Sequence, residues 1–158
     1  MTSTIEAATM TVTVQESIFL NGYEQGSKNI IEIASINEVF KRILTVTTTE
    51  AEILAFGTAV AAGTFDESKV MYIRMTNLDD TNHITLTFKD EDNTEFAIKL
   101  DKGQSFIYNG DLSGGVVDTM DAQDGGADLA ANTFADLVNI TAIADTAACD
   151  VEVFVACK

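Results

Sequence analysis

One histidine and two cysteines are a thin supply for a chain of 158 residues, and they exclude most chemistry a protein can do. A tetrahedral transition-metal site draws its ligands from clustered Cys and His, and His83, Cys149 and Cys157 cannot make such a set. His83 sits in Asp79-Asp80-Thr81-Asn82-His83, a turn ahead of a strand, where a solvated histidine is expected rather than the buried, oriented base of a catalytic triad. Phosphate-binding loops, dinucleotide fingerprints and nucleophile elbows are missing as well. The expectation is a protein with no enzymatic activity and no cofactor. Proline and tryptophan are wholly absent, and neither absence has a physical account.

Positive charge is scarce too. Nine Lys and Arg face 25 Asp and Glu, a net charge of −16. From Gly103 to Cys157 there are nine acids and no base, while the remainder holds sixteen acids and nine bases. Such a field repels nucleic acid and anionic lipid, and it suits a basic protein surface or plain solubility in salty water. Nucleic-acid and membrane partners are therefore not expected. The longest nearly apolar stretch, Ile53 to Ala62, is interrupted by Gly57 and Thr58 and is too short to span a bilayer. Met1-Thr-Ser-Thr-Ile-Glu lacks the basic and apolar regions of a secretory signal, so export by that route is not expected.

What the chain has is period-two alternation, the mark of strands with one buried face. Met10, Val12 and Val14 alternate with Thr11, Thr13 and Gln15. After the turn residues Asn21-Gly22 and Gln25-Gly26, Ile31 and Ile33 flank Glu32. Ile43 to Thr49 is rich in β-branched residues, and Val70 to Met75 is apolar on both faces apart from Arg74. The plainest block sets Ile84, Leu86 and Phe88 against Thr85, Thr87 and Lys89. It reverses at Asp90-Glu91-Asp92-Asn93-Thr94 into Phe96, Ile98 and Leu100. Asp101-Lys102-Gly103 turns the chain again into Ser105 to Tyr108, completing an antiparallel meander. Residues 109–135 break the rhythm with Gly, Ala and Asp and read as a long excursion, with at most a short helix near Ala127 to Asn132. Leu137 to Ile143 and Cys149 to Ala156 close the chain. The expected fold is all-β: an antiparallel β-sandwich of jelly-roll type, one domain over residues 10–158, preceded by a flexible polar arm over residues 1–9.

Cys149 and Cys157 share a face of the last strand. An extended strand sets them about 27 Å apart, beyond the Cα separation of about 7 Å that a disulfide tolerates. They are expected to be reduced thiols acting as small hydrophobes, with an interchain bridge through Cys157 as the sharper alternative. Hard oxygen ligands crowd the hairpin loop at Asp90, Glu91, Asp92 and Asn93, a weak calcium candidate that solvated turns imitate. Asp118, Asp121, Asp124 and Asp128 also cluster, but at spacings of three or four instead of the alternate spacing of an EF-hand loop.

Three phrases resemble small virion structural proteins of marine tailed phages. They are Ile36-Asn-Glu-Val-Phe-Lys-Arg-Ile-Leu-Thr-Val-Thr-Thr-Thr-Glu, Tyr72-Ile-Arg-Met-Thr-Asn-Leu-Asp-Asp-Thr-Asn, and Glu95-Phe-Ala-Ile-Lys-Leu-Asp-Lys-Gly-Gln-Ser-Phe-Ile. The resemblance covers about half the chain, as strand, Asn-Leu-Asp turn, strand and Lys-Gly turn. It implies a structural role in a virion assembled in the host cytoplasm, with no catalytic residues to carry over. Size and acidity favour a capsid decoration (cement) protein, a homo-oligomer, by resemblance a trimer, lying on the major capsid protein. A tail, neck or fibre-attachment protein is the alternative, and a carbohydrate- or calcium-binding sandwich module is the alternative of another class. Candidate partner contacts are Thr2, Ser3, Thr4 and Ile5 in the arm, and Asp111, Asp118, Asp121 and Asp124 in the excursion.

Overall fold

A computed structural model describes residues 4–122 and 134–158. The strands are β1 (Ala8–Gln15), β2 (Phe19–Leu20), β3 (Tyr23–Glu24), β4 (Lys28–Ile36), β5 (Glu38–Val46), β6 (Ala51–Gly57) and β7 (Thr64–Asp66). They continue as β8 (Val70–Asn77), β9 (Ile84–Asp90), β10 (Glu95–Leu100), β11 (Ser105–Asn109), β12 (Leu137–Ala144) and β13 (Cys149–Cys157). Among the described residues the sole helical element is a 3₁₀ turn at Glu67–Lys69.

The chain is an all-β sandwich. One sheet runs β11-β8-β13-β5 and the other β10-β9-β12-β6, with β7 added in parallel beside β6. Leave β7 aside and number the sandwich strands from β5: one sheet then reads sixth-third-eighth-first, and the other fifth-fourth-seventh-second. Chain neighbours thus repeatedly cross between sheets, and the core is built from strands far apart in sequence.

The alternating residues fill the space between the sheets. Ile84, Leu86 and Phe88 are wholly buried, Leu100 is buried, and Phe96 and Ile98 pack against them. Phe88 stacks on Phe96 with ring centroids 4.7 Å apart and also meets Phe106 and Tyr108. Val151, Val153 and Val155 of β13 face the same core. Burying a side chain of this size contributes roughly 1.5–3 kcal/mol each, which is why period two dominates the sequence.

The N-terminal region departs from expectation. Strand β1 begins at Ala8, inside the stretch read as a free arm, and pairs with β4 in a two-stranded ribbon outside both sheets. Asn21 and Gly22 take φ of 52° and 84°, the two positive angles of a type I′ turn, so β1 to β4 form one long hairpin. Its base lies on the outer face of the β8–β13 sheet. Ile33 and Ile36 bury against Met71, Tyr72 and Ala156, with Met10, Val12, Ile31, Ile107 and Phe154 around them. A β-bulge makes this possible: Ala156 opposes Tyr72 and Cys157 opposes Val70, so Met71 is the extra residue. Met71 and Tyr72 turn outward while Val70 and Ile73 stay in the main core. The two apolar faces of β8 have this cause: both are covered.

Residues 109–122 of the excursion are tied to the sandwich. Val116 and Met120 are core residues, and the Tyr108 hydroxyl bonds the Thr119 carbonyl oxygen and Oγ1 at 3.2 and 3.0 Å. Gly110 donates to the Met71 carbonyl and Val116 to that of Glu67. Gly115 has φ of 70°, and a Cβ there would lie 2.2 Å from the Glu67 carbonyl oxygen. Glycine is required both by the left-handed backbone and by the close approach. The stretch near Ala127 to Asn132, read as at most a short helix, lies outside the described residues. Strand β6 escaped the alternation entirely, because Ile53 to Phe56 is a continuous apolar run.

Candidate interaction surface

The acidic loop at the β9–β10 turn folds on itself. Asp90 is buried, and its carboxylate accepts the Thr94 backbone N–H at 2.8 Å and the Thr94 hydroxyl. Asp92 and Asn93 are exposed at the tip, with Asn93 in the left-handed region. The turn therefore uses Asp90 as an internal cap, and the three calcium candidates do not converge. Among the described residues no group of three or more His, Cys, Asp or Glu side chains is arranged to hold a metal.

The acids of the excursion likewise serve the loop. Asp111 accepts the N–H groups of Ser113 and Gly114 at 2.7 and 3.0 Å and the Ser113 hydroxyl, bonds that hold its carboxyl below the usual range. Asp118 is exposed with φ of 52°, its N–H donated to Asp136, and Asp121 is half-buried. Thr4 and Ile5 are exposed ahead of β1. Thr2, Ser3, Asp124 and Asp128 lie outside the described residues.

His83 and the thiols offer little chemistry. His83 Nδ1 lies 3.3 Å from an Asp145 carboxylate oxygen, so the pair carries attraction when the ring is protonated. The Cys149 thiol faces the His83 carbonyl rather than the ring, and burial raises its pKa. Burial pushes Cys157 up to about 12. Both cysteines are free and buried, so they keep their protons and pack as hydrophobes. Cys157 is 4% exposed at the wall of a cleft beside β5 and β7, so an interchain bridge there would have to form inside that cleft.

Two of the three phrases that carried the phage resemblance, those beginning at Tyr72 and Glu95, meet around one side chain. Asn77 is fully buried; its Nδ2 donates to the carbonyls of Asn82 and Leu100 at 2.9 and 3.1 Å, and its Oδ1 accepts the Asp79 N–H at 3.0 Å. Gly103 donates to the Asn77 carbonyl and Asn77 to that of Gln104. Asp79 then caps Thr81 and Asn82, whose N–H groups lower its pKa. The Asn-Leu-Asp and Lys-Gly turns are thus a single structural knot.

Two surfaces remain whose residues the fold leaves unsatisfied. The first is the distal hairpin. On its sandwich-facing side exposure climbs from 3% at Ile33 to 37% at Val14. Beyond that, Ile18, Phe19, Leu20 and Tyr23 stand at 54% to 72%. Strands β2 and β3 pair with each other alone, held by Glu24, whose carboxylate accepts the N–H groups of Ile18 and Gly26. The second is a cleft of about 460 Å³ between the open edges of the two sheets. Phe40 of β5 meets Phe65 of β7 edge-on at 5.4 Å to form its floor, and Arg42, Val60 and Lys69 stand around it. Val60 is two-thirds exposed, and Val39 and Ile43 lie uncovered on the outer side of β5. Sequence reasoning missed both surfaces. The available signal was Ile18-Phe-Leu beside Asn21-Gly22, an apolar cluster at a turn.

No family model matches the chain, and no curated protein does. Among solved structures, the chain is similar to one described as "Bacillus endospore appendages form a novel family of disulfide-linked pili". That similarity has a TM-score of 0.46 and 13% identity, over 76% of this chain and 82% of that one. It is too distant to carry a functional argument.

Proposed function

We propose that the protein is a structural subunit of a tailed-phage virion, a decoration protein that lies on the outside of the capsid as a homo-oligomer and has no catalytic role. The observation that carries the structural reading is the hairpin. Four large apolar side chains at its tip serve no purpose within their own chain, whereas in an assembly they are anchors. The Asn77 knot supports the virion reading by giving two of the three resembling phrases a common structural task. The strand order supports the jelly-roll type, since such folds interleave two Greek keys across two sheets. The net charge of −16 favours a basic patch on the major capsid protein and disfavours the DNA-filled lumen.

Copy number tests the reading. Quantitative mass spectrometry of purified particles should find hundreds of copies, as repeated capsid positions require. Roughly a dozen or fewer would match the rotational symmetry of a tail or neck instead. Complete absence from particles would end the virion reading.

A further inference from the structure

We infer that copies of this chain join head to tail, the hairpin tip of one seating in the cleft between β5 and β7 of the next. This deepens the homo-oligomer part of the reading above and rests on that part alone.

The chain carries two apolar features of opposite shape. The tip is convex and ends in Phe19, Leu20 and Tyr23. The cleft is concave, floored by Phe40 and Phe65 and rimmed by Val60. They do not meet within one molecule, because the tip residues stand mostly in water. At their observed exposures the tip side chains present on the order of 500 Å² of apolar surface, taking aromatic residues at 150–250 Å² each. That is over half of the roughly 800 Å² per partner in a standard interface, and the flanks of the hairpin and β5 can supply the rest.

Hydrogen bonding agrees with the fit, and charge agrees at one point. The cleft wall carries Glu38, Glu52 and Asp66 beside Arg42 and Lys69, and Lys69 is paired with Asp66. Arg42 has no ion pair among the described residues and is the cation in that wall left to meet Glu16 or Glu24 beside the tip. Strand β5 is also the last of its sheet, so its outer backbone groups are open to a neighbour. Donor and acceptor are different surfaces, so the contact is heterologous. It closes into a ring where the rotation permits and otherwise propagates.

A complementation experiment tests this on the full chain. Sedimentation velocity of the wild type should show concentration-dependent association, strengthened by salt because copies of charge −16 repel. Phe19→Ser with Leu20→Ser removes the donor; Val60→Asp spoils the acceptor. Each should weaken association at least roughly ten-fold, as loss of an interface anchor does, with circular dichroism and melting unchanged because the altered side chains are exposed. Mixing the two variants should restore one intact contact and give a 1:1 heterodimer that grows no further. Should either variant misfold, Tyr23→Ser and Arg42→Glu replace them. A wild type that stays monomeric at every concentration overturns the inference, as does a mixture that forms no heterodimer. Particle occupancy by a chain that is monomeric in solution would sink the contact while sparing the virion role. Head-to-tail association by a chain absent from particles would do the opposite.

Discussion

The sandwich and the N-terminal hairpin are written in the same alternating code, yet one is sealed and the other half open. In β9 every second residue is wholly buried, from Ile84 to Phe88. Along the hairpin the same alternation loses its cover gradually, from Ile33 at the base to Tyr23 at the tip. Alternation therefore reports that a strand has an apolar face. It does not report what covers that face, which depends on elements far along the chain or in another molecule.

The comparison breaks or holds on stability measurements. The largest effect is expected at Phe88→Ala, which empties the centre of the aromatic cluster and should cost about 3–5 kcal/mol in urea unfolding. Ile33→Ala at the hairpin base should cost about 2–4 kcal/mol, whereas Ile18→Ala near the tip should stay within about 0.5 kcal/mol in the monomer. Equal losses at residues 33 and 18 would mean that the hairpin folds as one cooperative piece with the core. Gly115→Ala should cost about 1–3 kcal/mol through its left-handed backbone alone, with the clash against the Glu67 carbonyl adding to it. A neutral result would show that the excursion can lift away from β8 freely.

Acidity gives a smaller, two-signed effect. Lowering pH from neutrality toward the pI of about 4.1 removes self-repulsion and should raise the melting temperature. Glu67 works in the same direction: burial, then Asp136, raise its pKa, so its protonation in this range favours the folded state. Asp66, Asp79, Asp111 and Glu152 are depressed by hydrogen bonds from Ser68, from Asn82 and Thr81, from Ser113, and from Arg74 respectively. Their stabilising contribution is present above the unfolded carboxylate pKa and is lost as pH falls through the folded values. Melting temperature should peak near the pI and drop below it. A steady decline from neutral pH downward would contradict this balance.

Much of the sandwich was legible because strands such as β9 turn one apolar face to the core and one polar face to water. The expected meander holds only as the β9–β10 hairpin: its third strand, β11, crosses to pair with β8 in the other sheet. Ile84 to Leu100 could be paired by eye, and β8 announced its double burial because Val70 to Met75 is apolar on both faces apart from Arg74. Strand β6 was illegible because a run such as Ile53-Leu-Ala-Phe has no period to read. The excursion was misjudged since its Gly and Asp residues serve specific backbone tasks, Gly115 at a close approach and Asp111 as a cap. At the candidate surface the sequence drew attention to carboxylates, Asp90 and Asp111 among them, which the fold spends on its own turns. The apolar tip was overlooked because Ile18-Phe-Leu is too short to show a period and stands against the turn at Asn21-Gly22.

Hydrogen exchange under conditions where sedimentation shows a monomer measures the contrast directly. Amides of β8 and β13 should exchange only through global unfolding, those pairing Met10 to Val12 with β4 at intermediate rates, and those of β2 and β3 fastest. Raising the concentration into the association range should then slow the tip amides together with those of β5. Tip amides protected in the monomer as deeply as β13, or unchanged by association, would contradict the account.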